Sequence, residues 1–408
     1  MVLTRTDHSE IAFYPAPRKC PHVPPPAHAA FRDDGALHRV TLWDGSRPWI
    51  ATTFEQVRFV LSDPRFSSDV RNPSFPLVSA DKRAKDAGQF IRLDDPEHGQ
   101  RRRLVTREFS VRSTYARADA TLQLIDSLID AMLAGPRPAD FVTAFALPLP
   151  TAMICSILGV PFEDREKFQR WTVVSVDLTR SQEEKIAALA EQRAYYASLI
   201  ACKREEPADD LVSRLVGQVK SIEGLTDEQL IGDVSILVSG GHETTANQLG
   251  LGLLALLQHR DQLELLRRQP ELADNAVEEI LRYWSILAAS PRRVALEDVP
   301  LGGEVIRKGD GVVTSLIAAN HDPAAFGADA DDLNIARGNA RQHMAFGFGT
   351  HQCLGQNLAR LELRTAWLRL FERIPDLRLA VSPEELAFKD STQVFGLRSL
   401  PVTWGDGV

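Results

Sequence analysis

The sequence has few cysteines, an acidic rather than basic charge balance, and no long hydrophobic run. Its 408 residues include four scattered cysteines, Cys20, Cys155, Cys202 and Cys353, and no two of them have CxxC spacing. This pattern argues against a structural zinc site, a redox dithiol and the disulfide framework of a small secreted protein. The formal net charge of −8 argues against a nucleic-acid-binding protein, which usually presents a basic surface.

Signals for membrane insertion and for a modular architecture are also absent from the sequence. It contains no charge-free apolar run of about 18 residues, the length that indicates a transmembrane helix. Residues 1–26 are polar and rich in proline, without the apolar centre of a signal peptide. There is no Gly/Ser-rich linker and no fixed-period repeat. We therefore expect a cytoplasmic protein that is not inserted in a membrane.

The N-terminal part carries strand signals. Residues 38–43 and 49–53 flank the turn-forming cluster 44–46, which predicts a β-hairpin. A short helix is expected over residues 54–61, ending before Pro64 because proline disfavours helix in the residue that precedes it. Residues 67–96 show no period and predict a long irregular loop, a type of segment that is often functional.

The middle of the chain has the periodicity of helices. A capping box at Thr226–Gln229 predicts the start of a helix that runs to about residue 258. Further helices are expected from Pro270 to about residue 283 and over 354–373, with β-like sequence over 293–314. The other segments with helical spacing are 118–132, 144–158 and 185–203. The sequence thus predicts a mainly α fold with a smaller β region.

Residues 346–355 read FGFGTHQCLG, a cysteine followed by a predicted helix and preceded by glycines. A thiolate that binds iron needs backbone N–H donors and a nearby helix N-terminus, and glycines let the backbone approach a flat macrocycle. An isolated cysteine in such a turn would more often be a buried structural residue. The run, however, resembles the haem-binding signature of cytochromes P450, Phe-x-x-Gly-x-x-x-Cys-x-Gly, at every fixed position.

That resemblance implies a b-type haem with Cys353 as the axial ligand to iron. A proximal thiolate pushes electron density onto iron and favours O–O cleavage. Phe346, Gly347 and Gly355 would then be cofactor-binding residues of the same loop.

The long predicted helix contains a second pattern, the segment 240–245, which reads GGHETT. Two glycines inside a helix cost about 1 kcal/mol each relative to alanine, and with the acid and hydroxyl they predict a local distortion that opens space. The alternative is a solvent-facing polar stripe. The segment resembles the oxygen-activation motif of P450s. On that resemblance Thr244 would hydrogen-bond dioxygen at the iron, and Glu243 would relay protons through water.

Other residues match family positions around the haem. The resemblance implies that His98, Arg102, Arg293 and His351 pair with the haem propionates. The planar fork of arginine suits such bidentate contacts. For Arg102 the alternative is a solvated charge within the run 101–103. Glu279 and Arg282 resemble the family's Glu-x-x-Arg pair, which joins an arginine of a later loop in a buried structural network.

Taken over the chain, the resemblance is to soluble, ferredoxin-dependent actinobacterial P450s. It implies one haem domain over 1–408, with a long central helix over the haem. The expected parts are a β-rich region over about 37–66, a helical body over about 98–290 and the haem-thiolate loop 346–355. The implied function is insertion of one oxygen atom from O2 into a hydrophobic small molecule, such as a macrolide, a polyene or a xenobiotic.

The sequence carries no flavin or iron–sulfur motif, so electrons from NAD(P)H are expected to arrive through a ferredoxin and its reductase. Arg101, Arg103 and Arg107 are candidates for a basic docking patch, and a solvated basic face is the alternative. Candidate substrate contacts come from family resemblance, and most could equally be plain core. They are Phe75, Leu77, Phe90, Ile91, Trp171, Val238, Ser239, Leu287, Ala288, Val394 and Phe395.

Two other functions remain open from the sequence. One is a P450 that uses peroxide or nitric oxide. The other is a haem-containing binder or sensor without turnover.

Overall fold

The structure is a computed structural model that describes residues 12–18, 20–79, 88–219 and 225–405. Most of the described chain is helical. The helices are α1 (Pro26–Asp34), α2 (Phe54–Ser62), α3 (Glu97–Thr106), α4 (Val111–Tyr115), α5 (Ala118–Ala134), α6 (Pro148–Leu158), α7 (Arg165–Val176), α8 (Gln182–Glu205), α9 (Leu211–Gln218), α10 (Asp227–Gln258), α11 (Arg260–Arg268), α12 (Ala273–Trp284), α13 (Leu316–Asn320), α14 (Pro323–Phe326) and α15 (Gln356–Arg373).

The strands are short and form a smaller β region. They are β1 (His38–Arg39), β2 (Trp49–Ala51), β3 (Phe66–Ser67), β4 (Ala139–Asp140), β5 (Arg292–Ala295), β6 (Val299–Leu301), β7 (Glu304–Ile306), β8 (Gly311–Thr314), β9 (Arg378–Leu379) and β10 (Pro401–Thr403). One five-stranded sheet has the order β1-β2-β8-β5-β3, in which only the β2–β8 pairing is parallel. The other sheets are β4-β10-β9 and the hairpin β6-β7.

The centre of the fold is the 32-residue helix α10. Its N-terminus has the predicted capping box, in which the Thr226 hydroxyl accepts from Gln229 N–H and the Gln229 side chain accepts from Thr226 N–H. Nearly all of its C-terminal half is buried in the main hydrophobic core. There Gly252 allows close packing, since a Cβ at this position would lie 2.0 Å from Trp367 of α15.

The sequence-based predictions of the main elements are confirmed. The 38–53 hairpin forms with His38 opposite Ile50, and α2, α5 and α8 cover the predicted segments. Helix α12 begins at Ala273 rather than at Pro270, because residues 270–272 form a 3₁₀ turn. Helix α15 begins at Gln356 rather than at residue 354, because the preceding residues belong to a 3₁₀ turn and the cysteine loop. Among the described residues, eight helices had no predicted bounds, namely α1, α3, α4, α7, α9, α11, α13 and α14. In the part of the chain that the structure describes, no helix is both long and apolar enough to cross a bilayer.

Candidate active site

A cavity of about 440 Å³ lies between α10 and the loop that carries Cys353. Its size is within the range of pockets that hold small molecules and cofactors. Cys353 and Thr244 both line this cavity, one from each of the two segments that the sequence analysis singled out. Much of the remaining wall is apolar, including Phe90, Leu237 and Leu287.

The cysteine loop is held by its own backbone. Cys353 N–H donates to the carbonyl oxygen of Phe346 at 2.8 Å, which closes the loop at its two ends. Gly347 and Gly349 have φ of 71° and 72°, a left-handed conformation that strongly favours glycine. The loop ends at Gly355, directly before α15, so the N-terminus of that helix lies beside the sulfur.

Opposing effects act on the pKa of the Cys353 thiol. This residue lines the cavity and is otherwise surrounded by protein. Desolvation raises the pKa of Cys353, whereas N–H donors of Gly355 and Gln356 and the charges of Arg102 and Arg360 lower it. The net effect is a pKa above the ordinary value. A metal cation would supply the missing positive charge, because a coordinating thiol is deprotonated by the metal.

One stripe of α10 faces the cavity. Among the lining residues of this helix are Leu237, Gly241, Thr244 and Gln248, which are spaced by four, three and four residues as a single helical face requires. The helix is continuous across this region, and the local distortion at the two glycines stays a prediction. Space is left by the missing side chain of Gly240, where a Cβ would meet nothing within 4 Å. The Thr244 hydroxyl donates to the Gly240 carbonyl oxygen at 2.7 Å.

Glu243 lies off this stripe, one residue and about 100° around the helix from Thr244. Its side chain is not part of the cavity wall and is buried. Oε1 of Glu243 accepts from Lys389 Nζ at 2.7 Å and from Asn247 Nδ2 at 3.2 Å. Lys389 and Asn247 were not found from the sequence, and Lys389 lies 146 positions away along the chain.

Three of the four residues assigned to the propionates, Arg102, Arg293 and His351, line the cavity, and the fourth, His98, lies outside its wall against His351. The rings of His98 and His351 stack with centroids 4.0 Å apart, and buried His98 Nε2 and His351 Nδ1 have no hydrogen-bond partner among the described residues. Arg102 donates to the Gln352 carbonyl oxygen at 2.6 Å, and burial lowers the pKa of Arg293 to about 10. Burial, followed by the charges of Arg293, His98 and Arg102, lowers the pKa of His351 to about 3.

Such a cluster of unpaired ring nitrogens and arginine cations fits a ligand that brings carboxylates. Open space at Gly240, Gly347 and Gly355, where an added Cβ would meet nothing within 4 Å, fits a flat macrocycle between α10 and the cysteine loop. The residues present therefore match haem held through Cys353, in a cavity that Thr244 also lines.

A buried ion network lies on α12, outside the cavity wall. Arg282 donates to both carboxylate oxygens of Glu279 at 2.7 and 2.8 Å, and both side chains are 0% exposed. Arg337, from the later loop, donates to Glu279 Oε1 at 3.1 Å. Arg282 and Arg337 also donate to backbone carbonyl oxygens, among them those of Asn320 and Phe326. The network fastens the segments that precede the cysteine loop to α12.

Comparison of this chain with known proteins agrees with the geometry of the cavity. The family model described as Cytochrome P450 matches residues 167–399. The chain belongs to the cytochrome P450 family. It is 44% identical over 404 residues to Cytochrome P450-SU2 of Streptomyces griseolus, an alignment that covers 98% of this chain and 99% of that protein.

Solved P450 structures have the same fold. The mycinamicin VIII C21 methyl hydroxylase of Micromonospora griseorubida, bound to mycinamicin VIII, superposes with a TM-score of 0.90 at 39% identity, covering 97% of this chain and 100% of that one. CYP105P1 in complex with filipin I gives a TM-score of 0.89 at 36% identity, covering 98% and 100%. As a P450 monooxygenase, the protein uses haem iron and receives electrons from external redox partners.

The P450 cavity includes only some of the predicted substrate contacts. Phe75, Phe90, Ile91 and Leu287 line it. Seven others, although described in the structure, are not part of its wall: Leu77, Trp171, Val238, Ser239, Ala288, Val394 and Phe395.

The structure explains why these predicted residues do not line the cavity. Val238 and Ser239 are off the stripe defined by Leu237 and Gly241, so helical spacing from Thr244 would have identified the correct neighbours. Trp171 is buried in a cluster of aromatic rings and donates to Glu191 at 3.1 Å. Phe395 stacks on Phe388 at 5.3 Å between ring centroids.

Val394, Ala288 and Leu77 take part in backbone contacts next to the cavity. Val394 pairs with Leu287 across an isolated β-bridge, and Ala288 N–H donates to the Gln393 carbonyl oxygen. The Leu77 carbonyl oxygen accepts from Trp43 Nε1 at 3.0 Å.

The predicted basic patch requires one correction. Arg101 is only 2% exposed, and its guanidinium pairs with the buried Asp233 of α10 at 2.7 and 3.0 Å. It therefore joins α3 to the central helix and is not available to a docking partner. Arg103 and Arg107 are exposed.

Proposed function

We propose that this P450 hydroxylates or epoxidises a hydrophobic natural product of the macrolide or polyene type. The observation that carries the proposal is the largely apolar cavity that both Cys353 and Thr244 line. Relatives that share the fold over nearly the whole chain are described as binding mycinamicin VIII and filipin I. A wall of this kind selects ligands chiefly by shape and apolar contact, with few polar anchors.

In the proposed mechanism the protein provides ligation, orientation and proton control. When bound, the haem supplies an iron centre at which dioxygen is activated and one oxygen atom is passed to a C–H bond or an alkene. Cys353 would hold the iron through its thiolate, while His98, Arg102, Arg293 and His351 would fix the propionates. Apolar side chains such as Phe90 and Leu287 would orient the substrate and exclude water.

Proton supply is assigned to two neighbouring residues of α10. The Thr244 hydroxyl faces the cavity and would hydrogen-bond the dioxygen. Glu243 lies behind it in a polar group with Lys389 and Asn247, where it would pass protons inward through water. This acid and alcohol pair favours the use of dioxygen over the use of peroxide or nitric oxide, because splitting O2 to release water consumes two protons.

The electron donor is proposed to be a cytoplasmic ferredoxin served by its reductase, with all of residues 1–408 forming one haem domain. Helix α3 carries the exposed Arg103 and is tied by Arg102 to the residue before Cys353. An acidic ferredoxin on this face would be close to the thiolate side of the haem. Charge complementarity there would mainly raise the association rate.

Mycinamicin VIII and filipin I provide a direct test of the proposed substrate class. We expect at least one of them to displace water from the iron of the ferric holoprotein and shift its Soret band from low spin to high spin. Optical titration measures the shift and the dissociation constant, and glucose serves as a hydrophilic control. If neither compound shifts the band, the macrolide and polyene assignment is wrong, while the monooxygenase assignment still stands.

Replacing Thr244 by alanine should uncouple electron use from product formation. The variant loses the hydroxyl that faces the cavity, so a larger share of NADPH ends in hydrogen peroxide. The measurement is peroxide released per NADPH oxidised with a surrogate ferredoxin and reductase. Thr244→Ser, which keeps the hydroxyl, should stay close to the wild type. Equal coupling in Thr244→Ala and the wild type would favour the peroxide- or nitric-oxide-using alternative.

A further inference from the structure

The Glu243 carboxylate is held by a lysine from a distant part of the chain. Lys389 Nζ donates to Glu243 Oε1 at 2.7 Å and to Asn247 Oδ1 at 2.9 Å. The side chain of Lys389 is 16% exposed, whereas that of Glu243 is 5% exposed. Lys389 therefore lies on the solvent side of the buried acid, and Thr244 lies on its cavity side.

The backbone around Lys389 fixes the position of the ammonium group. Lys389 N–H donates to the Gly396 carbonyl oxygen at 2.8 Å, and Phe388 and Phe395 stack beside this bond. A Cβ at Gly396 would lie 2.2 Å from Asn247 Oδ1, so the glycine lets the segment 387–398 approach α10 closely.

This same segment contacts the end of α7 and the cavity wall. Leu178 N–H donates to the Ser391 carbonyl oxygen at 2.8 Å, and Gln393 N–H donates to that of Val176 at 2.9 Å. Phe395 N–H donates to the carbonyl oxygen of Ile286, a cavity-lining residue, at 2.7 Å. Lys389 is thus attached to a rigid backbone rather than to a free loop.

We propose that Lys389 is a positioning residue for proton supply, the solvent-facing end of a path that continues through Glu243 to Thr244. The inference rests on the role proposed above for Glu243. Each proton that Glu243 passes inward is one that its carboxylate has first accepted from surface water, while Lys389 stays charged and holds the carboxylate in place, so Glu243 returns to an ionised group paired with the ammonium. Without Lys389 the buried carboxylate loses its counter-ion and becomes protonated, because an unpaired buried charge is neutralised.

The test compares Lys389→Met with Lys389→Arg in the full-length holoprotein. Methionine keeps much of the side-chain volume but removes the charge and seals Glu243 from water, whereas arginine keeps the cation. Lys203→Met is the matched control, since Lys203 is 15% exposed and pairs at 2.5 Å with Asp210, which is 5% exposed. Neither Lys203 nor Asp210 lines the cavity.

Two measurements are made on each variant, both without added substrate. Infrared difference spectra of the ferric protein should show a carboxylic-acid C=O band in Lys389→Met that disappears in the double variant with Glu243→Gln. Peroxide released per NADPH should rise several-fold in Lys389→Met, while Lys389→Arg and Lys203→Met stay near the wild type. Adding Glu243→Gln to Lys389→Met should cause no further rise, because both changes interrupt the same path.

Each other outcome is decisive. Unchanged peroxide release in Lys389→Met, or a missing infrared band, overturns the role of Lys389. If Glu243→Gln alone leaves peroxide release unchanged, the role proposed for Glu243 fails as well. A Glu243→Gln effect without a Lys389→Met effect separates the two, and removes only the inference about Lys389.

Discussion

Replacing Cys353 by alanine is expected to abolish both the thiolate spectrum and monooxygenase turnover. The loop 346–355 places Cys353 in the wall of the cavity that Thr244 also lines and beside the N-terminus of α15, and alanine offers no atom that can bind iron. The reduced, carbon-monoxide-bound variant should therefore lack the red-shifted Soret band typical of thiolate-ligated haem. Activity should fall to the level without enzyme, because the electron push from sulfur that favours O–O cleavage is lost.

Cys202→Ala is the control for this experiment. Cys202 is an exposed free cysteine on α8, so its removal should change neither the spectrum nor turnover. Both variants would be purified with haem supplementation and compared at equal haem content. A wild-type-like carbon monoxide spectrum in Cys353→Ala would disprove the assignment of the axial ligand.

Replacing Glu279 by glutamine should give the largest loss of stability. The carboxylate accepts from Arg282, from Arg337 and from Asn334 N–H at 2.9 Å, all in the interior. An amide in its place leaves the buried Arg282 without a counter-charge and leaves Arg337 with only the half-exposed Asp329. Breaking a buried pair in this way costs about 3–5 kcal/mol in the free energy of unfolding. Urea denaturation followed by circular dichroism and by the Soret band measures the change.

Asp298→Asn is the comparison, because Asp298 pairs with Arg307 at 2.7 Å on the surface, where the side chains are 51% and 68% exposed. Water and salt screen such a pair, so we expect no measurable change in stability. Equal midpoints for the Glu279 and Asp298 variants would show that the α12 network is not a main contributor to stability.

Local patterns were sufficient to predict much of the fold. The capping box at Thr226 and the absence of proline before Pro270 define α10 almost to the residue, because cap and length are local properties. Helix α11 was not delimited, since it directly follows α10 and the single residue His259 separates them. Helix α1 begins at Pro26, the last of three consecutive prolines, and was not predicted because the composition around it is irregular.

The site residues likewise include some that local sequence patterns predict and some that they do not. Cys353 and Thr244 come from motifs whose residues are adjacent in sequence, and the structure brings these two segments to one cavity. Lys389 was not found, because no local pattern connects it to an acid 146 positions earlier. Arg101 was misassigned for a related reason. In the sequence it is one of three consecutive arginines. Only the tertiary structure shows that Arg101 is buried in an ion pair with Asp233.

Two different sides of α10 carry the cavity wall and the Glu243 carboxylate, which has a practical consequence for engineering. Leu237 and Gln248 contribute to the cavity wall from one stripe, while Glu243 faces the 387–398 segment from a neighbouring side. Variant libraries that change only Leu237 and Gln248 should therefore alter which substrates bind. They should leave unchanged the coupling, which is the amount of product formed per NADPH oxidised. Selectivity and coupling can then be optimised in separate rounds on a single helix.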